Sequence, residues 1–215
     1  MNIPFKAVIF DMDGVITDTM PYHFKAWKEI FKAQGILVTH EDIYKREGQK
    51  GIDSVREIFT EKGRLFNEGL ARQLLKDKED CFKKIFKRKF INGSRSFIKA
   101  LKRKELLLAL VTGTSRHEAE RLLPKDLWAS FNVTVCGCDV QNGKPHPEPY
   151  LKALAHLKIK AKEAIVLENA PFGIRSAKAA GIKCIAIETS LPKAYLKQAD
   201  QVFSSYKQIA SSLKF

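Results

Sequence analysis

The chain alternates short apolar runs with longer stretches in which apolar residues recur every three or four positions. Residues 6–10, Lys-Ala-Val-Ile-Phe, are apolar on consecutive positions, the pattern of a strand buried on both faces. Runs at 106–111, 164–167 and 184–187 read the same way, and 201–203 predicts a short last strand. Helical spacing covers 94–102, 147–157 and 174–180, with Gly181 placed to close the last of these as its C-cap. Strands alternating with helices of this length predict a parallel, doubly wound α/β sheet. Residues 19–90 break the alternation and read as continuous helix with no convincing strand. There Phe24, Trp27, Ile30 and Phe31 share one helical face, as do Leu70, Leu74, Cys81 and Ile85, with a break allowed near Asp77. The expected layout is an α/β core interrupted, after its first strand, by an all-helical insertion.

Composition narrows the class. A chain of 215 residues buries roughly 70% of its extended surface on folding, so a full core forms without staples. Hydrophobic residues at 45% and charged residues at 29% argue against disorder. No apolar run approaches the ~18–20 residues of a membrane span, and the N-terminal segment reaches Asp11 too soon to be a secretory signal. Cys81, Cys136, Cys138 and Cys184 are too few for a disulfide scaffold, and Cys136-Gly137-Cys138 has the wrong spacing for a zinc knuckle. A reduced, cytoplasmic protein is expected, and the sequons at Asn92 and Asn132 then carry no meaning. The 38 basic against 24 acidic residues give a net charge of +14, a field that attracts anions such as nucleic acid, acidic membrane or phosphorylated metabolites. The densest run, residues 83–89, interleaves Ile85 and Phe86 with lysine and arginine, as an amphipathic helix with a solvated basic face does. No nucleic-acid-binding module accompanies it, so nucleic acid is not an expected partner.

Four clusters carry candidate chemistry, and each follows a predicted strand. Asp11-Met12-Asp13-Gly14 places two carboxylates one residue apart where ligands bind in an open parallel sheet. Their mutual repulsion calls for a cation, and hard oxygen ligands suit Mg²⁺. Thr112-Gly113-Thr114-Ser115 offers hydroxyls and free amides opening a helix, which suits an anion, although an ordinary N-cap has the same composition. Gly143-Lys144-Pro145 holds one lysine in a rigid turn, able to pair with phosphate oxygens and with Asp11. Glu168-Asn169 supplies an acid and an amide, both able to donate oxygen to a metal.

In this order the clusters resemble the haloacid dehalogenase superfamily, and within it the β-phosphoglucomutase-like phosphatases. Asp11-Met12-Asp13-Gly14-Val15 is similar to the first motif, Thr112 to the second, Lys144 to the third and Glu168-Asn169 to the fourth. The stretch from Gly14 to Trp27 is similar to the mutase subgroup in particular. The resemblance spans essentially the whole chain. It implies a Rossmann-like core of residues 1–18 and 91–215, a helical cap at 19–90, and a Mg²⁺ requirement. It also implies Asp11 as the nucleophile that forms an aspartyl-phosphate and Asp13 as general acid and base. Asp11, the Asp13 carbonyl, Glu168 and Asn169 would hold the metal, and Thr112, Gly113, Thr114 and Lys144 would share the phosphoryl charge. Carbon–halogen chemistry is not expected, because it has no use for an acid/base at Asp13.

Two departures from the family pattern matter. Asn169 stands where a second acid is usual, which predicts weaker metal binding with activity kept. The mutase cap loop carries an arginine that grips the substrate's second phosphate. The corresponding stretch here is Glu47-Gly48-Gln49-Lys50-Gly51, with glycine at the arginine's place and Lys50 as a partial substitute. His23 either positions substrate and senses cap closure or caps its own helix. The expected function is Mg²⁺-dependent hydrolysis of a small phosphorylated metabolite, a sugar phosphate by preference, by a monomer. A hexose-phosphate mutase is the second reading, and a phosphometabolite- or nucleic-acid-binding protein without turnover the third.

Overall fold

The computed structural model describes residues 5–213. Six strands form one parallel sheet: β1 (Ala7–Phe10), β2 (Leu107–Val111), β3 (Val133–Val135), β4 (Ala164–Glu168), β5 (Lys183–Ile187) and β6 (Gln201–Phe203). Their order is β3-β2-β1-β4-β5-β6, the doubly wound arrangement in which the chain reverses direction of growth at β1. Consecutive apolar positions on β1 serve opposite faces. Val8 and Phe10 join one hydrophobic cluster, Ala7 and Ile9 the other. Strand β3 has no counterpart in the sequence reading: it is three residues long, lies at the sheet edge and is only partly covered, so it never needed an apolar run.

Four helices fill the segment after β1: α1 (Met20–Ala33), α2 (His40–Tyr44), α3 (Gly51–Glu61) and α4 (Glu68–Ile85). The expected continuous helix is thus broken three times, and at two of the breaks a polar cap starts the next helix. Thr39 and Asp42 form a reciprocal capping box at the start of α2. Asn67 Oδ1 accepts the Leu70 amide at 2.8 Å to start α4. No break occurs near Asp77; the fully buried stripe of α4 is Ala71, Leu74, Lys78 and Phe82, and Leu70, Cys81 and Ile85 pack against the apolar clusters half-buried beside it. The helix ends at Ile85, so the basic run continues past it into extended chain. These helices enclose their own apolar cluster, built on Phe24, Trp27, Phe31, Ile58, Phe59 and Leu74.

The two chain crossings between sheet and insertion run side by side. The Asp18 amide donates to the Lys89 carbonyl at 2.9 Å, and the Ile91 amide to that of Ile16 at 2.9 Å. The remaining helices, α5 (Ser94–Arg103), α6 (Arg116–Leu122), α7 (Lys125–Trp128), α8 (Glu148–Leu157), α9 (Pro171–Ala179) and α10 (Tyr206–Ser212), belong to the α/β part. No described helix is long and apolar enough to cross a membrane.

Candidate active site

The register of the sheet assembles the site. Phe10 pairs with Leu110 on β2 and with Leu167 on β4, so Asp11, Val111 and Glu168 emerge side by side at the carboxyl ends of adjacent strands. Lys144 reaches this point from the loop after β3. Its Nζ donates to Asp11 Oδ1 at 2.6 Å, to Glu168 Oε1 at 2.7 Å and to the Val111 carbonyl at 3.2 Å. All four groups are buried. Burial by itself disfavours a charged lysine, but the carboxylates of Asp11 and Glu168 outweigh it and push Lys144 up, so the ammonium persists. Burial also raises Asp11, to about 8, with Lys144 pulling the other way. Tyr150, on α8, donates its hydroxyl to the same Glu168 oxygen at 2.7 Å.

Asp13 is in the opposite condition. Burial would raise it, but donors from His23, Thr19 and Thr114 outweigh that cost and hold it below the usual carboxylate range. His23 Nε2 lies 3.2 Å from Asp13 Oδ1 and its ring stacks on Phe82. Burial and the nearby Lys78 hold the imidazole below its usual range, so it is neutral near pH 7 and donates from Nε2. It does not cap α1.

Gly14 lets the chain turn beneath Asn169. Its φ is +79°, and a Cβ there would fall 2.1 Å from Asn169 Nδ2. That amide nitrogen donates to Ser190 Oγ at 2.9 Å, while Asn169 Oδ1 is buried without a partner. Asp11 Oδ2 is orphaned in the same way. Two enclosed, unpartnered oxygens at neighbouring strand ends fit a small hard cation such as Mg²⁺. Among the described residues no cluster of three or more His, Cys, Asp or Glu forms a metal site. The donor set therefore needs the amide. Both Glu168 oxygens already accept hydrogen bonds, from Lys144 and Tyr150 on one side and from the Asn169 amide on the other.

Thr112 Oγ1 accepts the Thr114 amide at 3.1 Å and so shapes the loop before α6. The helical insertion closes over this loop. A Cβ on Gly113 would stand 2.6 Å from the Gly48 carbonyl oxygen, so only glycine permits the approach. Lys50 takes no part among the carboxylates. Its Nζ donates to the Val140 and Gln141 carbonyls, at 2.6 and 2.5 Å, and clamps the insertion to the core. Glu47, on the same loop, is held well above the usual range by burial and by Asp13 and Asp11.

Between insertion and core lies a cavity of about 120 Å³, bordered by His23, Trp27, Arg46 and Lys78 on one side and Thr114 and Glu118 on the other. Sequence reasoning named Asp11, Asp13, His23, Thr112, Gly113, Thr114, Lys144, Glu168 and Asn169, and the fold brings these together. It missed Thr19, Lys78, Glu118, Tyr150 and Ser190, and read Glu47 only as part of the cap-loop stretch. Thr19 and Tyr150 each lie next to a motif that was read, but a hydroxyl or an isolated charge carries no spacing signal of its own.

Comparison with known proteins matches residues 8–187 to the model of haloacid dehalogenase-like hydrolases. The chain is 36% identical over 185 residues to a phosphorylated carbohydrates phosphatase of Thermotoga maritima, covering 84% of this chain and 83% of that one. It is 28% identical over 193 residues to a β-phosphoglucomutase of Bacillus subtilis, covering 87% and 85%. The solved structure of β-phosphoglucomutase from Clostridium difficile superposes with a TM-score of 0.82 at 23% identity, over 96% of each chain, and attests the shared fold.

Proposed function

Since the chain belongs to the haloacid dehalogenase-like hydrolase family, we propose that it is a Mg²⁺-dependent phosphatase of a small phosphorylated carbohydrate. The observation that carries the reading is the buried group at the sheet's switch point. There Asp11 keeps one oxygen on Lys144 and the other, Oδ2, unpartnered.

Asp11 attacks phosphorus in line, forming a carboxylate O–P bond as the ester P–O bond breaks. Asp13, ionised at rest, takes up a proton from solvent before the site closes and gives it to the leaving oxygen. Asp13 then removes a proton from water, which attacks the aspartyl-phosphate and releases inorganic phosphate with Asp11 restored. His23, Thr19 and Thr114 hold Asp13 in place for both transfers. Lys144 and the Thr112–Thr114 loop offset charge on the phosphoryl oxygens. Asp11 and Asn169, with the Asp13 carbonyl and Glu168, would hold Mg²⁺, which when bound supplies neutralising charge to the phosphoryl group. Residues 19–90 act as a cap that excludes bulk water.

Mutase action requires a grip on a second phosphate. Arg46 borders the cavity, but its guanidinium is engaged by Glu57, Glu61 and the Asp42 carbonyl. Lys78 remains as a point charge, which favours hydrolysis over transfer.

The test is phosphate release from a panel of sugar, acid and nucleotide monophosphates with Mg²⁺. Release is expected to fall at least about a thousandfold in Asp11→Asn, since a neutral amide cannot form the acyl phosphate. Activity retained within about tenfold would remove Asp11 from the reaction.

A further inference from the structure

One group in the cavity is left without work by this mechanism. Glu118, on α6, is only 8% exposed, and its Oε1 is enclosed with no hydrogen-bond partner. A buried carboxylate oxygen left unpaired is costly, and such a cost persists in a fold where a ligand meets it. On one side Glu118 borders a cleft with Phe82, Arg88 and Arg121, where Arg88 gives its guanidinium to the Arg121 carbonyl. On its inner side it lines the 120 Å³ cavity with His23 and Lys78.

The placement says what kind of group it meets. His23 touches Asp13, which hands a proton to the leaving oxygen, and His23 also feels the charges of both Lys78 and Glu118. The end of the cavity beside His23 is therefore where the leaving group's atoms next to the ester oxygen come to rest. Lys78 lies 5.7 Å from the Trp27 ring centroid and 5.2 Å from that of Phe82, and makes no ion pair among the described residues. One acceptor and one cation facing one small space suit neighbouring hydroxyls, one donating to Glu118 and the next accepting from Lys78. A cationic leaving group would be repelled by Lys78, and a second phosphate by Glu118. The cavity, about 120 Å³, favours a short chain over a bulky group.

We propose that Glu118 reads a hydroxyl of the leaving group, so that the preferred substrates are phosphate monoesters of short neutral polyols. The proposal rests on the phosphatase reading and deepens it.

The test compares kcat/KM for glycerol 3-phosphate with that for propyl phosphate, which has the same chain without free hydroxyls, and with that for 3-aminopropyl phosphate. The wild-type enzyme should prefer glycerol 3-phosphate over both. In Glu118→Leu the ratio of glycerol 3-phosphate to propyl phosphate should fall at least about tenfold, mainly through KM, because the hydroxyl loses its partner. Glu118→Gln, whose amide oxygen still accepts, should keep most of the preference. A ratio that moves less than about threefold in Glu118→Leu, or falls equally in both variants, overturns the proposal. So does a wild-type preference for the amine. The melting temperature of Glu118→Leu should not drop, since that change removes the unpaired oxygen; a drop there would make Glu118 structural and overturn the proposal as well. Hydrolysis of p-nitrophenyl phosphate that depends on Asp11 separates the two readings. Silence there and with all three alkyl phosphates defeats the phosphatase assignment, whereas turnover without selection for hydroxyls defeats only the role of Glu118.

Discussion

Two aspartates one residue apart on the same strand end, Asp11 and Asp13, are driven to opposite protonation behaviour by their neighbours. Burial lifts Asp11, while three donors overcome burial to keep Asp13 ionised. The sequence places both acids at a strand end but says nothing of this division, because His23, Thr19 and Thr114 reach Asp13 only through the fold. Asn169 is the opposite case, since its meaning is legible at once as an oxygen donor lacking one charge. Asn169→Asp should keep activity and lower the half-saturating Mg²⁺ concentration by about tenfold, the equivalent of ~1.4 kcal/mol. A titration of activity against Mg²⁺ reads this, and an unchanged midpoint would show that residue 169 does not ligate the metal.

At the scale of elements, closure of the helical insertion depends on backbone meeting backbone. The Gly113 loop touches the Gly48 carbonyl, while Lys50 is clamped to the Val140 and Gln141 carbonyls. Gly113→Ala would set a methyl carbon 2.6 Å from that oxygen, and a peptide group cannot swing aside as a flexible side chain does. Misplacement of about an ångström at a closed site costs on the order of a hundredfold in rate. We expect kcat/KM to fall by about that factor with far-ultraviolet circular dichroism unchanged, and steady-state kinetics beside the spectrum checks it. The position of Lys50 in the sequence suggested substrate binding; the fold instead gives its ammonium to carbonyl oxygens some ninety residues away, a contact no local pattern encodes.

Across the whole molecule, several surface carboxylates tie separate elements together. Burial works to raise Asp139, but the Cys136 amide and the Arg116 guanidinium on α6 hold it below 3.8. In Asp200 burial is likewise outweighed, by Lys178 on α9 and the Cys184 amide on β5. A carboxyl whose folded pKa lies below its unfolded value binds more protons unfolded, so its contribution is complete above about pH 5 and is lost as pH falls through the folded value. The melting temperature should therefore decline below about pH 4, and less steeply in Asp139→Asn than in wild type, as scanning calorimetry between pH 5 and 2 would record. A parallel decline in the two proteins would remove Asp139 from the acid transition.

The sequence by itself determined the alternation of buried strands and helices, the position of the helical insertion, and the acids at the strand ends. These are local signals: an apolar run long enough to cross the sheet, or an acid at the point where that run stops. Tertiary structure alone decided the edge strand Val133–Val135, the pairing of Lys144 with both Asp11 and Glu168, and the cavity that joins Lys78 to Glu118. Each of these depends on contacts between residues far apart in the chain. Their strength comes from burial, where a single charge or hydroxyl matters because water is absent, and burial is not a property of any residue until the chain has folded.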